Sequence, residues 1–184
     1  MQNPFPNYQA IHDELMRTII EVKDFPQPGI SFQDVTPVFE HPALALSMIK
    51  CMAAEFSKMQ IGGIAGMESR GFLFGMALAL ELQVPFILLR KKGKLPRKTR
   101  HIEYTLEYGT GILEVHESSI RPGQRILIHD DVLATGGTAD AAAQLIQSCG
   151  GEVCGFSFIM SLDFLGGKKR LDHFGLPVHT FANL

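Results

Sequence analysis

The segment RILIHDDVLATGGTADAAAQLI, Arg125 to Ile146, constrains the fold more than any other stretch of the chain. Arg125 to His129 is mostly apolar and rich in β-branched residues, with Gly123 as punctuation before it, the pattern of a buried strand. Asp130 and Asp131 stand at the carboxyl end of that strand. A small-residue loop, Ala134, Thr135, Gly136, Gly137 and Thr138, then opens a helix carrying Ala141, Ala142, Leu145, Ile146 and Cys149 at helical spacing. In open α/β sheets, ligands gather at the carboxyl ends of the strands. Glycine lets the backbone approach a ligand closely, and the free N–H groups of a helix start attract phosphate. The segment can therefore hold a phosphate on its loop while its two carboxylates stand beside hydroxyls or a metal.

The loop is neither of two common phosphate binders. A P-loop requires a lysine after its last glycine, and none follows Gly137. The dinucleotide fingerprint G-x-G-x-x-G is also absent after the strand. A sugar phosphate fits better, with phosphate on the loop and diol on the acids. An isolated Asp-Asp or Gly-Gly pair is ordinarily a solvated turn or a tight connection; the order of strand, acids, loop and helix argues against that here.

The full chain has 184 residues, the size of one ordinary domain with a substantial core. At 46% hydrophobic and 20% charged residues it has the composition of a globular protein, not a disordered one. A net charge of −2 gives no global attraction to nucleic acid or anionic membrane. Three cysteines (Cys51, Cys149, Cys154) and seven histidines show no metal-ligand spacing, and no signal-peptide pattern opens the sequence. Reduced thiols in a cytoplasmic compartment are the expectation. The most apolar stretch, Gly71 to Leu89, is interrupted by Glu81, Gln83 and Pro85, which excludes a span of ~20 residues through a membrane.

Periodicity predicts helices over 8–22, 42–59, 71–82 and 164–174, and strands over 61–65, 84–89, 102–106, 112–115, 153–160 and 178–181. Residues 25–39 are rich in proline and turn formers and predict a loop with short extended pieces, and 91–101 a basic polar loop. Alternating strands and helices imply an α/β fold with a mainly parallel sheet flanked by helices and right-handed crossovers. No internal repeat or long linker divides the chain.

The run HDDVLATGGT resembles the phosphoribosyl-pyrophosphate (PRPP) signature of type I phosphoribosyltransferases. KDFPQPGISFQDVTP (Lys23 to Pro37), GMESRGFLFG (Gly66 to Gly75), RKKGKLPRKT (Arg90 to Thr99) and YTLEYG (Tyr104 to Gly109) narrow the resemblance to the adenine phosphoribosyltransferase family. They occur in that family's order and cover most of the chain from about Lys23 to about Leu171. The resemblance implies a type I phosphoribosyltransferase fold in a single domain, with residues 1–37 as a small hood over the base and 91–115 as a mobile flap. It also implies transfer of the phosphoribosyl group from PRPP to adenine, with Mg²⁺ as cofactor and a homodimer as the assembly. Mg²⁺ would be held mainly through PRPP and waters, with Asp130 or Asp131 as its protein ligand. No nucleic acid or membrane partner is implied.

Residue by residue, the resemblance assigns Ala134 to Thr138 to the 5′-phosphate and Asp130 and Asp131 to the ribose. Adjacent strand residues point to opposite sides, so the two acids should not share one role unless the strand has already turned. Glu68, Ser69 and Arg70 form a polar turn between a strand and a helix, where an arginine fork and a helix start can hold an anion. The resemblance makes this turn the pyrophosphate loop, with a strained peptide at Glu68–Ser69. Between Arg90 and Arg100 lie seven of the chain's 17 basic residues in eleven positions with no acid among them. The cluster lies between two strands, which suits a lid over the highly charged PRPP better than a nucleic-acid arm, and Lys91 and Lys94 are its expected direct contacts.

Glu107 resembles the family's general acid–base for the purine, with Tyr108 helping to close the flap. Ser31, Phe32 and Gln33 are expected to hold adenine, Phe32 by stacking and its neighbours through backbone groups, and Leu162 to line the same pocket. Gln33 departs from the family's Arg or Lys, and His129 from its aliphatic residue; His129 reads as a packing residue at the strand end. Two alternatives share these residues: another purine phosphoribosyltransferase acting on hypoxanthine, guanine or xanthine, and a PRPP-sensing regulator without turnover.

Overall fold

The computed structural model describes residues 8–105 and 110–184. The chain divides into two compact units, one reaching to Glu55 and the other starting at Phe56. The first begins with helix α1 (Tyr8–Thr18), which buries Leu15. Apolar spacing predicted helix as far as Val22, but α1 stops at Thr18, whose hydroxyl donates to the Glu14 carbonyl at 2.8 Å. Strand β1 (Ile20–Lys23) follows and pairs antiparallel with β2 (Ser31–Asp34), placing Val22 opposite Phe32. Val22 fits the helical period with Ile11, Leu15 and Ile19 and a period of two with Ile20, and the hydrogen-bonding partner decided between them. The proline-rich segment supplies β2 and a 3₁₀ turn over Thr36–Glu40, and α2 (Pro42–Phe56) follows it closely as expected.

The second unit is built on a seven-stranded sheet. Its strands are β3 (Gly63–Met67), β4 (Phe86–Lys91), β5 (Thr99–Thr105), β6 (Thr110–His116), β7 (Arg125–Leu133), β8 (Glu152–Ser161) and β9 (Val178–Asn183). Their order is β5-β6-β4-β3-β7-β8-β9. Pairing is parallel from β4 through β3, β7 and β8 to β9, while β6 and β5 add an antiparallel extension at the β4 side. The sheet is mainly parallel, as expected from the alternation of elements.

Several boundaries differ from expectation. β3 and β4 each begin two residues late; at β4, Pro85 has no N–H to give to a ladder, though its carbonyl receives the Ile64 N–H of β3 at 2.9 Å. β5 starts at Thr99, inside the expected basic loop, where Arg100 pairs opposite Val115. The expected helix over 164–174 is divided into a 3₁₀ turn, helix α5 (Gly167–Leu171) and a second 3₁₀ turn, with Gly166 at φ 71° separating the first two and Gly175 at φ 63° ending the last.

The largest departure lies in β7, which runs on to Leu133, so Asp130 and Asp131 are inside the strand and not beyond it. The ladder to β8 continues past the acids, pairing Asp130 with Phe158 and Val132 with Met160, and that ladder keeps the backbone extended. On one face, Ile126 and Ile128 join Leu89, Val115 and Phe156 in a buried cluster closed by Ala142, Ala143, Leu145 and Ile146 of α4 (Gly137–Ser148). On the other lies α3 (Gly71–Glu81), where Gly75 leaves room for the Phe86 ring and the edge of His129.

His129 is a packing residue as expected, though within the strand and not at its end. It is fully buried, with Nδ1 3.2 Å from Ser157 Oγ, and Nε2 has no hydrogen-bond partner among the described residues. Burial pulls its pKa down to about 4. An imidazole kept neutral in the fold supports stability above its ordinary value of 6.5, and that support is lost as pH falls through 6.5 toward 4, because the unfolded chain takes the proton first. Replacing His129 with Val is expected to remove an acid-dependent loss on the order of 3 kcal/mol between neutral pH and about pH 4. Urea unfolding at the two pH values measures it; equal pH slopes in both proteins would show that the buried ring is not responsible.

Candidate functional site

The extended run of β7 carries the chain to a cleft at the carboxyl end of the sheet. Asp130, Val132 and Leu133 line it together with Met67 of β3 and Phe158 of β8. The loop Ala134, Thr135, Gly136, Gly137 and Thr138 closes it, all five as expected from sequence, with Ala139 beside them. Gly136 sits at φ 78°, a left-handed conformation that disfavours side chains, and caps α4, which begins at Gly137. The turn brings the first amides of α4 round to the cleft, where the helix dipole favours an anion. Met67, Val132 and Phe158 were not expected in the lining. The signal for Val132 was the strand's unbroken alternation beyond the acids; the other two are brought in by neighbouring strands.

The two acids diverge as the pleat requires. Asp131 is almost fully buried and pairs with the Nε of Arg70. Asp130 stays on the cleft side, where its Oδ1 accepts the Asp131 N–H at 2.9 Å. Desolvation, together with the adjacent Asp131 charge, holds the Asp130 carboxyl well above the usual carboxylate range. A Cβ on Gly71 would stand 2.6 Å from Asp130 Oδ1, so the start of α3 is pressed against this acid and only glycine fits. The arrangement separates one charge-neutralised carboxylate from one that gains by meeting a cation or donating a proton.

The second turn, Glu68 to Arg70, joins β3 to α3, and the Glu68–Ser69 peptide is cis. The Glu68 side chain is directed to the end of β4, not into the turn. It accepts from Arg90 Nη2, the Lys91 N–H and Lys94 Nζ, each at 3.0 Å. The Arg90 bond above all, helped by Lys94 and Lys91, lowers its pKa to about 2. Glu68, Ser69, Arg70, Lys91 and Lys94 are therefore brought to one corner, with Arg70 reaching across to Asp131. Arg90, which ties Glu68 down and bonds the Lys94 carbonyl at 3.0 Å, was not singled out from the sequence, where it was one basic residue among seven.

Ser31, Phe32 and Gln33 lie on β2 in the first unit. The Phe32 ring meets Phe25 edge-on at 5.2 Å, and Ser31 Oγ donates to Glu21 at 2.6 Å and receives the Gln33 amide at 3.4 Å. Leu162 belongs to the second unit, just past β8, where its N–H bonds the Leu133 carbonyl at 2.9 Å. Glu107 and Tyr108 lie outside the described residues.

No group of three or more His, Cys, Asp or Glu side chains could hold a metal among the described residues. The acids present fit Mg²⁺ in a different way: that ion commonly takes one or two carboxylates and completes its shell with substrate oxygens and water. Asp130, desolvated and beside a second carboxylate, could serve as such a ligand.

A phosphoribosyl transferase domain is matched over residues 36–172. The adenine phosphoribosyltransferase of Sorangium cellulosum is 51% identical over 170 residues, covering 90% of this chain and 85% of that protein. The crystal structure of adenine phosphoribosyltransferase from Rhodothermus marinus superposes with a TM-score of 0.89 at 46% identity, covering 96% of this chain and 99% of that one. The Saccharomyces cerevisiae enzyme, solved with an imino-altritol bisphosphate and adenine, gives a TM-score of 0.88 at 37% identity, covering 94% of this chain and 99% of that one. The chain thus carries the phosphoribosyl transferase domain and belongs to the adenine phosphoribosyltransferase family.

Replacing Asp130 and Asp131 together with Asn is expected to abolish phosphoribosyl transfer while circular dichroism and the unfolding midpoint show the fold intact. A turning-over double variant would refute any role for the two acids.

Proposed function

We propose that the chain transfers the 5-phosphoribosyl group of PRPP to adenine, giving AMP and pyrophosphate, in purine salvage. The observation that carries this reading is the five-residue loop turned by Gly136 at the start of α4, beside Asp130 and Asp131 near the carboxyl end of β7. The adenine phosphoribosyltransferases of the same family, one of them solved with adenine, support the choice of base.

In this reading the 5′-phosphate takes the amides of Ala134 to Thr138. Asp130 meets the ribose hydroxyls, while Asp131 holds Arg70 in place. Arg70, the Ser69 turn and Lys91 or Lys94 receive the pyrophosphate as it departs. Glu68 contributes by gathering Arg90 and Lys94 at this corner, because its own carboxylate would repel the leaving anion. Bond breaking at the anomeric carbon runs ahead of attack by the purine nitrogen, so positive charge develops on the sugar. Asp130 or Asp131 would hold Mg²⁺, which when bound would supply charge neutralisation for the pyrophosphate. Phe32 stacks on the purine, and the backbone of Ser31 and Gln33 reads its edge. Glu107 takes the purine proton, with Tyr108 closing the flap.

No helix among the described residues is long and apolar enough to cross a membrane, and the enzyme is proposed to work in the cytoplasm. We further propose a homodimer. Leu73, Met76 and Leu80 on α3 are 54%, 45% and 66% exposed at helical spacing, an apolar stripe suited to a second copy.

An absorbance assay of adenine with PRPP and Mg²⁺, run beside hypoxanthine and guanine, tests the reaction. Adenine is expected to dominate. Faster turnover of an oxopurine would reassign the base, and PRPP binding without AMP would make the protein a sensor. Glu107→Gln is expected to lower kcat by ~10²–10⁴-fold with little change in PRPP affinity. Normal turnover would make Glu107 structural.

A further inference from the structure

The short helix α5 meets the phosphate loop from outside the residues assigned so far. A Cβ on Gly167, its first residue, would collide with the Ala134 carbonyl oxygen, and one on Gly136 would stand 2.9 Å from the Gly167 carbonyl oxygen. Backbone thus rests directly on backbone at the turn that starts α4. Arg170, one turn further along, has its Cβ 3.4 Å from where a Gly136 Cβ would lie. Its Nε donates to Asp140 Oδ2 at 3.2 Å.

Asp140 is the acid in the first turn of α4, with its side chain 14% exposed. Its other oxygen receives the Gln144 amide at 2.8 Å and lies 3.8 Å from His173 Nε2. His173 in turn bonds the Arg170 carbonyl through Nδ1 at 2.8 Å. A carboxylate in a first helical turn suits the helix alone, because it complements the dipole. It opposes a second anion at the same N-terminus, since like charges repel, more so where both are partly desolvated. The structure therefore holds an acid in the first turn of the helix whose start would take the proposed phosphate, and sets a guanidinium against that acid.

We propose that Arg170 is a positioning residue for PRPP. By neutralising Asp140 it leaves the α4 N-terminus free to attract the 5′-phosphate, while the Gly167 contact sets the loop's distance. The inference rests on the phosphoribosyl-transfer reading of the same loop.

The test uses Arg170→Gln, which keeps the stem and removes the charge. KM for PRPP is expected to rise about 3- to 10-fold, the scale of a charge acting on a helix terminus. The Kd of ribose 5-phosphate, measured by calorimetry, is expected to rise by the same factor. Neither kcat nor KM for adenine should move by more than about twofold, on the same grounds. Arg170→Lys retains the charge and should stay close to wild type. Arg170→Gln combined with Asp140→Asn removes both charges and should bring the PRPP constant most of the way back. An unchanged PRPP constant in Arg170→Gln overturns the proposal. So does a rise that persists undiminished in the double variant, or a loss shared equally by adenine and PRPP, which would mark a general structural role. A wild-type protein that binds ribose 5-phosphate yet forms no AMP would refute the transferase reading while leaving the calorimetric comparison valid.

Discussion

The ligand face of this protein depends on the left-handed turn at Gly136. β7 must stay extended to deliver two acids, and α4 must begin at once so that its free amides look back at them. Only a residue tolerant of φ 78° permits both within so short a distance. The same glycine lets α5 lie against the loop, because a side chain there would strike the Gly167 backbone. Torsional freedom and steric room are required at one position, and glycine supplies the two together.

Around that turn, charge is sorted, not pooled. Asp131 is matched by Arg70, Glu68 by Arg90 and Lys94, and Asp140 by Arg170. Asp130 is the contrasting case: its protonation is favoured by lost hydration and by the neighbouring carboxylate. A site that must accept several negative charges gains from having its own acids answered beforehand, since unpaired carboxylates would oppose the ligand. The proposed roles of Arg70, Glu68 and Arg170 follow from this arrangement.

Much of the second unit was legible because its elements obey one period each. Arg125 to Ile146 holds a buried apolar run, then small residues, then helical spacing, and each became the expected element. Misreadings arose where two periods coincide or where hydrogen bonding overrides local preference. Val22 fits a helix with Ile19 and a strand with Ile20, and antiparallel pairing with β2 chose the strand. Asp130 and Asp131 look like strand terminators, yet the ladder to β8 carries the strand through them to Leu133. The 164–174 stretch has enough apolar residues for a helix, but Gly166 at positive φ interrupts it and Gly175 ends it.

By itself the sequence determined the order of strands and helices, the glycine turn, the adjacent acids and the concentration of basic residues near β4. These are local properties, set by side-chain period and by torsional freedom along a few consecutive residues. Tertiary structure alone decided which charges meet. Arg70 and Asp131 are 61 positions apart, and Glu68 and Lys94 are 26 apart, so no local pattern encodes those pairs. It also decided that Met67 and Phe158 share a cleft wall, because parallel strands distant in the chain become neighbours only when the sheet forms. Proximity across a sheet is a property of its register, and register is settled by the whole core at once.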